Sequence, residues 1–67
     1  MKLSEIRLEM MLRHISDVGI PKQKLIVVRI RENATDTDDD DSIFCEWMSR
    51  NGDFHQVWLN PKRLTKW

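Results

Sequence analysis

An α+β domain is what the sequence predicts: an N-terminal helix packed on a bent three-stranded antiparallel sheet, in the order α-β-β-β with a short C-terminal turn. Three observations predict it. Apolar residues recur at helical spacing in the first quarter of the chain. Three later runs are rich in β-branched and aromatic residues. Asn51-Gly52 joins the last two of those runs as a hairpin turn would. With 67 residues there is room for one domain, spanning 1–67.

The helix is expected over about 5–18. Leu8, Met11, Leu12, Ile15 and Val18 form one apolar stripe. Ser4 stands as the N-cap, Leu3 and Leu8 are spaced for a hydrophobic staple, and Glu5 and Glu9 lie toward the positive end of the dipole. Gly19 suits the left-handed position after the helix, and Pro21 stops any continuation.

The first strand is expected over 24–31, with Ile26, Val28 and Ile30 on one face and Leu25, Val27, Arg29 and Arg31 on the other. Residues 33–42 contain Asp36 and the run from Asp38 to Asp41. Their mutual repulsion and lack of apolar groups predict a mobile, solvated loop. Strands over 43–49 and 54–59 flank Asn51-Gly52, the pair that a two-residue type I′ turn prefers. That turn sets Met48 opposite His55, Glu46 opposite Val57 and Cys45 opposite Trp58. Ile43, Cys45, Trp47, Phe54 and Trp58 then share one face. The expected core is Trp47, Trp58, Cys45, Ile26, Val28, Leu12 and Ile15. Asn60-Pro61 starts the final turn, which returns Leu64 and Trp67 toward the sheet.

Net charge is zero but segregated. Residues 1–31 carry +4, residues 32–53 carry −7 and residues 54–67 carry +3. Such balance argues against polyanion binding by the whole surface and leaves local patches to consider. No leader or membrane-spanning run is evident, and the single thiol, Cys45, fits a reducing compartment, so a cytoplasmic location is expected.

The residues that carry chemistry are sparse. The aspartate run fails as an EF-hand: Asp41 stands where glycine is needed and Trp47 where a bidentate glutamate is needed. A solvated loop is the plainer reading, with a weak cation site or an acidic docking surface as alternatives. His14 and His55 have no acid spaced to hold a ring tautomer. Cys45 is read as a packing residue, with His55 placed on the opposite face of the hairpin. Two glycines cannot build a phosphate loop. No enzymatic activity, no cofactor and no metal are therefore expected.

Two kinds of binding remain. Ile6 and Met10 lie on a second side of the helix, away from the stripe of Leu8 and Ile15, and make a candidate patch for a protein partner or a second copy of the chain. Arg29, Arg31, Arg50, Lys62, Arg63 and Lys66 could gather at one sheet edge near Trp58 or Trp67, as in β domains that hold single-stranded nucleic acid. The aspartate loop, joined to the same sheet, favours the protein partner over nucleic acid.

Cys45, Trp47, Gly52, Trp58 and Leu64 form a Cys-x-Trp hairpin followed by an aromatic residue and then a leucine. In these residues, over about 43–64, the chain resembles the YodC-like family of small bacterial and phage-associated proteins. The resemblance implies a small, strongly bent, SH3-like sheet and no particular activity. The N-terminal apolar stripe and the long aspartate loop depart from the family pattern.

Overall fold

The computed structural model describes residues 1–15, 24–37, 39–49 and 51–67. It is mostly β: strands β1 (Met11–His14), β2 (Leu25–Ile30), β3 (Ile43–Met48), β4 (Phe54–Leu59) and β5 (Leu64–Lys66), with single 3-10 turns at Leu3–Glu5 and Pro61–Arg63. All neighbours are antiparallel, in the order β4-β3-β2-β1-β5. The chain meanders through four strands, and the fifth returns to the far side of the first.

The α+β expectation is overturned at the N-terminus. In place of a helix over 5–18 there is one 3-10 turn, extended backbone at Ile6, and then β1. Lys2, not Ser4, caps the turn. Glu9 sits at φ 68 in the left-handed region, inside a turn closed by the Met10 N–H on the Arg7 carbonyl at 3.2 Å. Residues 16–23, which include Val18 and the stop signals Gly19 and Pro21, lie outside the described residues. Tertiary pairing explains the outcome. Helix propensity differs by tenths of a kcal/mol per residue, roughly 0.7 at most among ordinary residues. As a strand, β1 bonds on both sides, to β2 and to β5, and fully buries Leu12. Burying that one side chain is worth about 1.5–3 kcal/mol. Ile6, Met10, Leu12 and His14 turn toward the interior, whereas the stripe residues Leu8, Met11 and Ile15 are exposed.

The core comprises Ile6, Leu12, Leu25, Val27, Ile43, Cys45, Leu59 and Leu64, drawn from all five strands and the segment before them. The N-terminal segment packs on this face: Ile6 is part of the core, and Met1, Leu3 and Met10 pack against it. β2 also differs from expectation. Leu25 and Val27 are the buried pair, while Ile26 and Val28 are only half-buried. A bulge between Val27 and Arg29 then changes the side to which the strand's residues point, so Ile30 lies opposite Ile43 and packs against the core.

The β3–β4 hairpin carries the largest correction for function. Met48 lies opposite Phe54, Trp47 opposite His55, Glu46 opposite Gln56, Cys45 opposite Val57 and Phe44 opposite Trp58. The register is one residue away from that of a two-residue loop. The turn shows why. The Ser49 N–H bonds the Asp53 carbonyl at 2.9 Å, and the Gly52 N–H bonds the Ser49 carbonyl at 3.0 Å. Ser49 and Asp53 are thus paired one residue further apart than a two-residue loop allows; Gly52, at φ 86, is in the left-handed region, and Asn51 is not, as a type I′ turn would require. A one-residue shift exchanges the faces of β4. Val57 and Leu59 face inward, and Phe54 and Trp58 face out.

Candidate functional site

The outer face of the hairpin follows from that register. Phe44 and Trp58 pack with ring centroids 4.9 Å apart and planes tilted by 40°. One step along, the Gln56 amide donates to the Glu46 carboxylate at 3.4 Å. One step further, Met48 and Phe54 lie opposite each other. Phe54 is 66% exposed, Met48 51% and Trp58 40%. The middle row continues across the sheet, because Ile26 pairs with Glu46 and Met11 pairs with Ile26. The Trp67 N–H bonds the Met11 carbonyl at 3.3 Å, and the Lys24 ammonium lies 5.7 Å from the Trp67 ring centroid. A face with aromatic and methionine side chains thus runs over the outer side of the sheet, away from the core. Met11, Met48, Phe54, Trp58 and Trp67 are exposed on it, beside Arg29, Glu46 and Gln56.

Ile6, expected on the surface, is 4% exposed and belongs to the core, and Met10 packs partly against that core. The patch they were expected to form is therefore closed off. A turn at Arg7–Met10, followed by β1, replaces the helical geometry that was expected to set Ile6 and Met10 on a side of their own.

The basic residues are distributed rather than gathered. Arg29 pairs with Phe44 across β2 and β3, on the outer face. The Arg31 guanidinium meets the Asp40 carboxylate at 3.3 Å, and the Lys62 ammonium meets Asp39 at 2.7 Å. Arg63 and Lys66 are exposed on the last 3-10 turn and on β5. Arg50 lies outside the described residues. The described part of the acidic segment is tied at several points besides these ion pairs. The Ser4 N–H bonds Asp36, and the Asn60 amide bonds the Asp39 carbonyl at 2.8 Å. Lys62 holds the Asp39 carboxyl below its ordinary range, by hydrogen bond and by charge. Two of the six candidate phosphate ligands are thus partly neutralised by the chain's own carboxylates.

Cys45 is fully buried opposite Val57, and burial pushes its thiol up to about 11, away from thiolate reactivity. His55 lies on the same side of the hairpin as Cys45 and not on the opposite side, and is exposed there. Its ring stacks on Trp47, with centroids 5.1 Å apart and planes 18° from parallel. Among the described residues no group of three or more His, Cys, Asp or Glu could hold a metal ion.

The residues that sequence reasoning missed are Phe54 and Trp58, assigned to the core, together with Phe44 and Met48. The sequence of β4, Phe-His-Gln-Val-Trp-Leu, has apolar residues on either parity, so composition does not choose between its faces. The turn does, and Ser49 and Asp53 flanking Asn51-Gly52 were the available signal: they extend the loop to three residues. Comparison of the chain with protein-family models, with curated proteins and with solved structures finds no match.

Proposed function

We propose that the chain is a small, non-enzymatic protein-interaction module that docks through the outer face of its sheet. The observation that carries this reading is the outer face of β3 and β4, where Met48, Phe54 and Trp58 are exposed and half-buried Phe44 packs on Trp58. Aromatic and methionine side chains are enriched in the buried centres of protein interfaces. The reading retains the protein partner expected from charge balance and moves its docking surface from Ile6 and Met10 to the hairpin. A cytoplasmic setting, consistent with one reduced thiol, and a bacterial or phage origin, implied by the YodC-like hairpin, belong to the same proposal.

A nucleic-acid reading has one specific observation in its favour: Arg29, Phe44 and Trp58 stand in one row across β2, β3 and β4, an arrangement that suits a stacked base and its phosphate. Against it stand Glu46 on the same face and the carboxylates that engage Arg31 and Lys62. The two readings part in one experiment. The protein and a Phe54→Ser/Trp58→Ser variant are compared by sedimentation, beside titration with single-stranded DNA and RNA at low and physiological salt. The protein reading expects a complex that the variant loses, and negligible nucleic-acid binding at physiological salt. Micromolar binding to single strands that weakens with salt and is lost in Arg29→Ala would reverse the ranking.

A further inference from the structure

The two edges of the sheet are finished differently. At the β5 edge the Leu64 N–H bonds the Pro61 carbonyl, and the Met1 nitrogen donates to the carbonyls of Leu64 and Pro61 at 2.7 and 2.9 Å. The strand is three residues long and includes Lys66. Short length, lysine and covering contacts are how natural sheets blunt an edge. β4 has none of these. It is six residues long and unbulged against β3, and it contains no proline, lysine or acid. Among the described residues nothing pairs with its outer side.

The backbone geometry specifies what that edge offers. The Ser49–Asp53 bond makes that pair a hydrogen-bonded one, and hydrogen-bonded pairs alternate along an antiparallel ladder. His55 and Val57 therefore spend their backbone groups on β3. The N–H and C=O groups of Phe54, Gln56 and Trp58 point to the open edge, while their side chains lie on the outer face.

We infer that β4 pairs antiparallel with β4 of a second copy of this chain, about a two-fold axis at Gln56. This rests on the protein-interaction reading and names its partner. With Gln56 opposite Gln56 of the second copy, Phe54 falls opposite Trp58 and Trp58 opposite Phe54. All three residues with edge-facing backbone groups become hydrogen-bonded pairs, making roughly six interchain bonds. Other two-fold registers leave some of those groups unpaired. The strand is self-complementary in charge, because the flanking Asp53 falls opposite Leu59 of the second copy and no like charges meet. Cross-strand aromatic pairs form on the outer face, where such pairs add to sheet stability. The apolar faces of the two hairpins join into one surface.

Three substitutions test this, with sedimentation equilibrium over a concentration series as the readout. Gln56→Pro removes an N–H that the single chain does not use and blocks the axis. It is expected to weaken the dimer by about 10- to 100-fold. Resistance of Cys45 to a thiol reagent reports that the variant remains folded. Gln56→Cys is expected to form an interchain disulfide on mild oxidation, since facing residues of a hydrogen-bonded pair lie about 5.5 Å apart between Cα atoms. His55→Cys, one step off the axis, is expected not to cross-link. A dimer that is indifferent to Gln56→Pro, or one in which His55→Cys cross-links and Gln56→Cys does not, overturns the β4 pairing while self-association stands. A monomer at every concentration also overturns it and leaves the protein-interaction reading to a foreign partner. Salt-sensitive micromolar binding of single strands would remove that reading itself.

Discussion

The two faces of the β3–β4 hairpin invert a common expectation about size and burial. The inner face carries Ile43, Cys45, Val57 and Leu59, and the outer face carries Phe44, Met48, Phe54 and Trp58. Three of the large rings and Met48 are outside; Trp47 is the large ring on the inner face, half-buried against the core and stacked on His55. The fully buried positions are small or branched, and the one tryptophan of the inner face, Trp47, stays at the margin of the core, half-buried. Hydrophobicity alone therefore does not sort the residues of a small sheet; volume and register do.

The largest test of that contrast is truncation. Leu12→Ala or Ile43→Ala is expected to lower unfolding free energy by about 2–5 kcal/mol. Phe54→Ala is expected to cost about 0.5 kcal/mol, and Trp58→Ala, which also loses the Phe44 ring, about 1–1.5 kcal/mol. Urea unfolding at low protein concentration decides the matter, and outer-face losses equal to inner-face ones would break the distinction.

A second test uses Cys45, whose thiol burial pushes up to about 11 from the ordinary 9. A raised folded-state pKa means that the stabilisation is complete below pH 9 and is lost as pH rises through 9 toward 11. That loss is expected to be about 2 kcal/mol and to be absent in Cys45→Ala. Stability curves at pH 8 and pH 10.5 for both proteins measure it.

The hairpin loop sharpens the comparison further, since it sets which face is which. A Cβ on Gly52 would meet nothing within 4 Å, so Gly52→Ala reports only the left-handed backbone, about 1 kcal/mol. Asn51→Ala is expected to cost little, whereas in a type I′ turn both substitutions would be costly. The smallest expected effect is at Asp39. Its ion pair with Lys62 holds at neutral pH and is lost as pH falls through the depressed carboxyl pKa. Carboxyl NMR titration is expected to show the Asp39 midpoint rising in Lys62→Met.

The sequence was informative where local chemistry and tertiary need coincide. The runs at 25–30, 43–48 and 54–59 are dense in Ile, Val, Phe and Trp, and Asn51-Gly52 marks the bend between the last two. Asn60 accepts from the Lys62 N–H at 3.0 Å, with Pro61 first in the turn, as their residue types suggest. It was misleading where two periods overlap. Leu8, Met11, Leu12 and Ile15 fit a helix, yet Ile6, Met10, Leu12 and His14 fit a strand, and Leu12 belongs to both patterns. What separates them is β5, whose pairing with β1 lies at the far end of the chain and leaves no local trace. The candidate surface was hidden for a related reason: one residue of loop length decides whether Trp58 is core or surface.

The seam between β1 and β5 has a consequence for how the molecule folds. It pairs Leu12 with Lys66 and His14 with Leu64, so it closes only when the earliest and latest strands meet. The β2–β3–β4 meander joins strands adjacent in sequence, through the twelve-residue 31–42 connection and the hairpin loop after Met48, and needs neither. Loop-closure entropy therefore orders the events: the meander forms early, and β1 waits for its second neighbour. During synthesis β1 emerges first yet stays half-paired until β5 follows, and for that interval its open side is an exposed edge for a chaperone to guard.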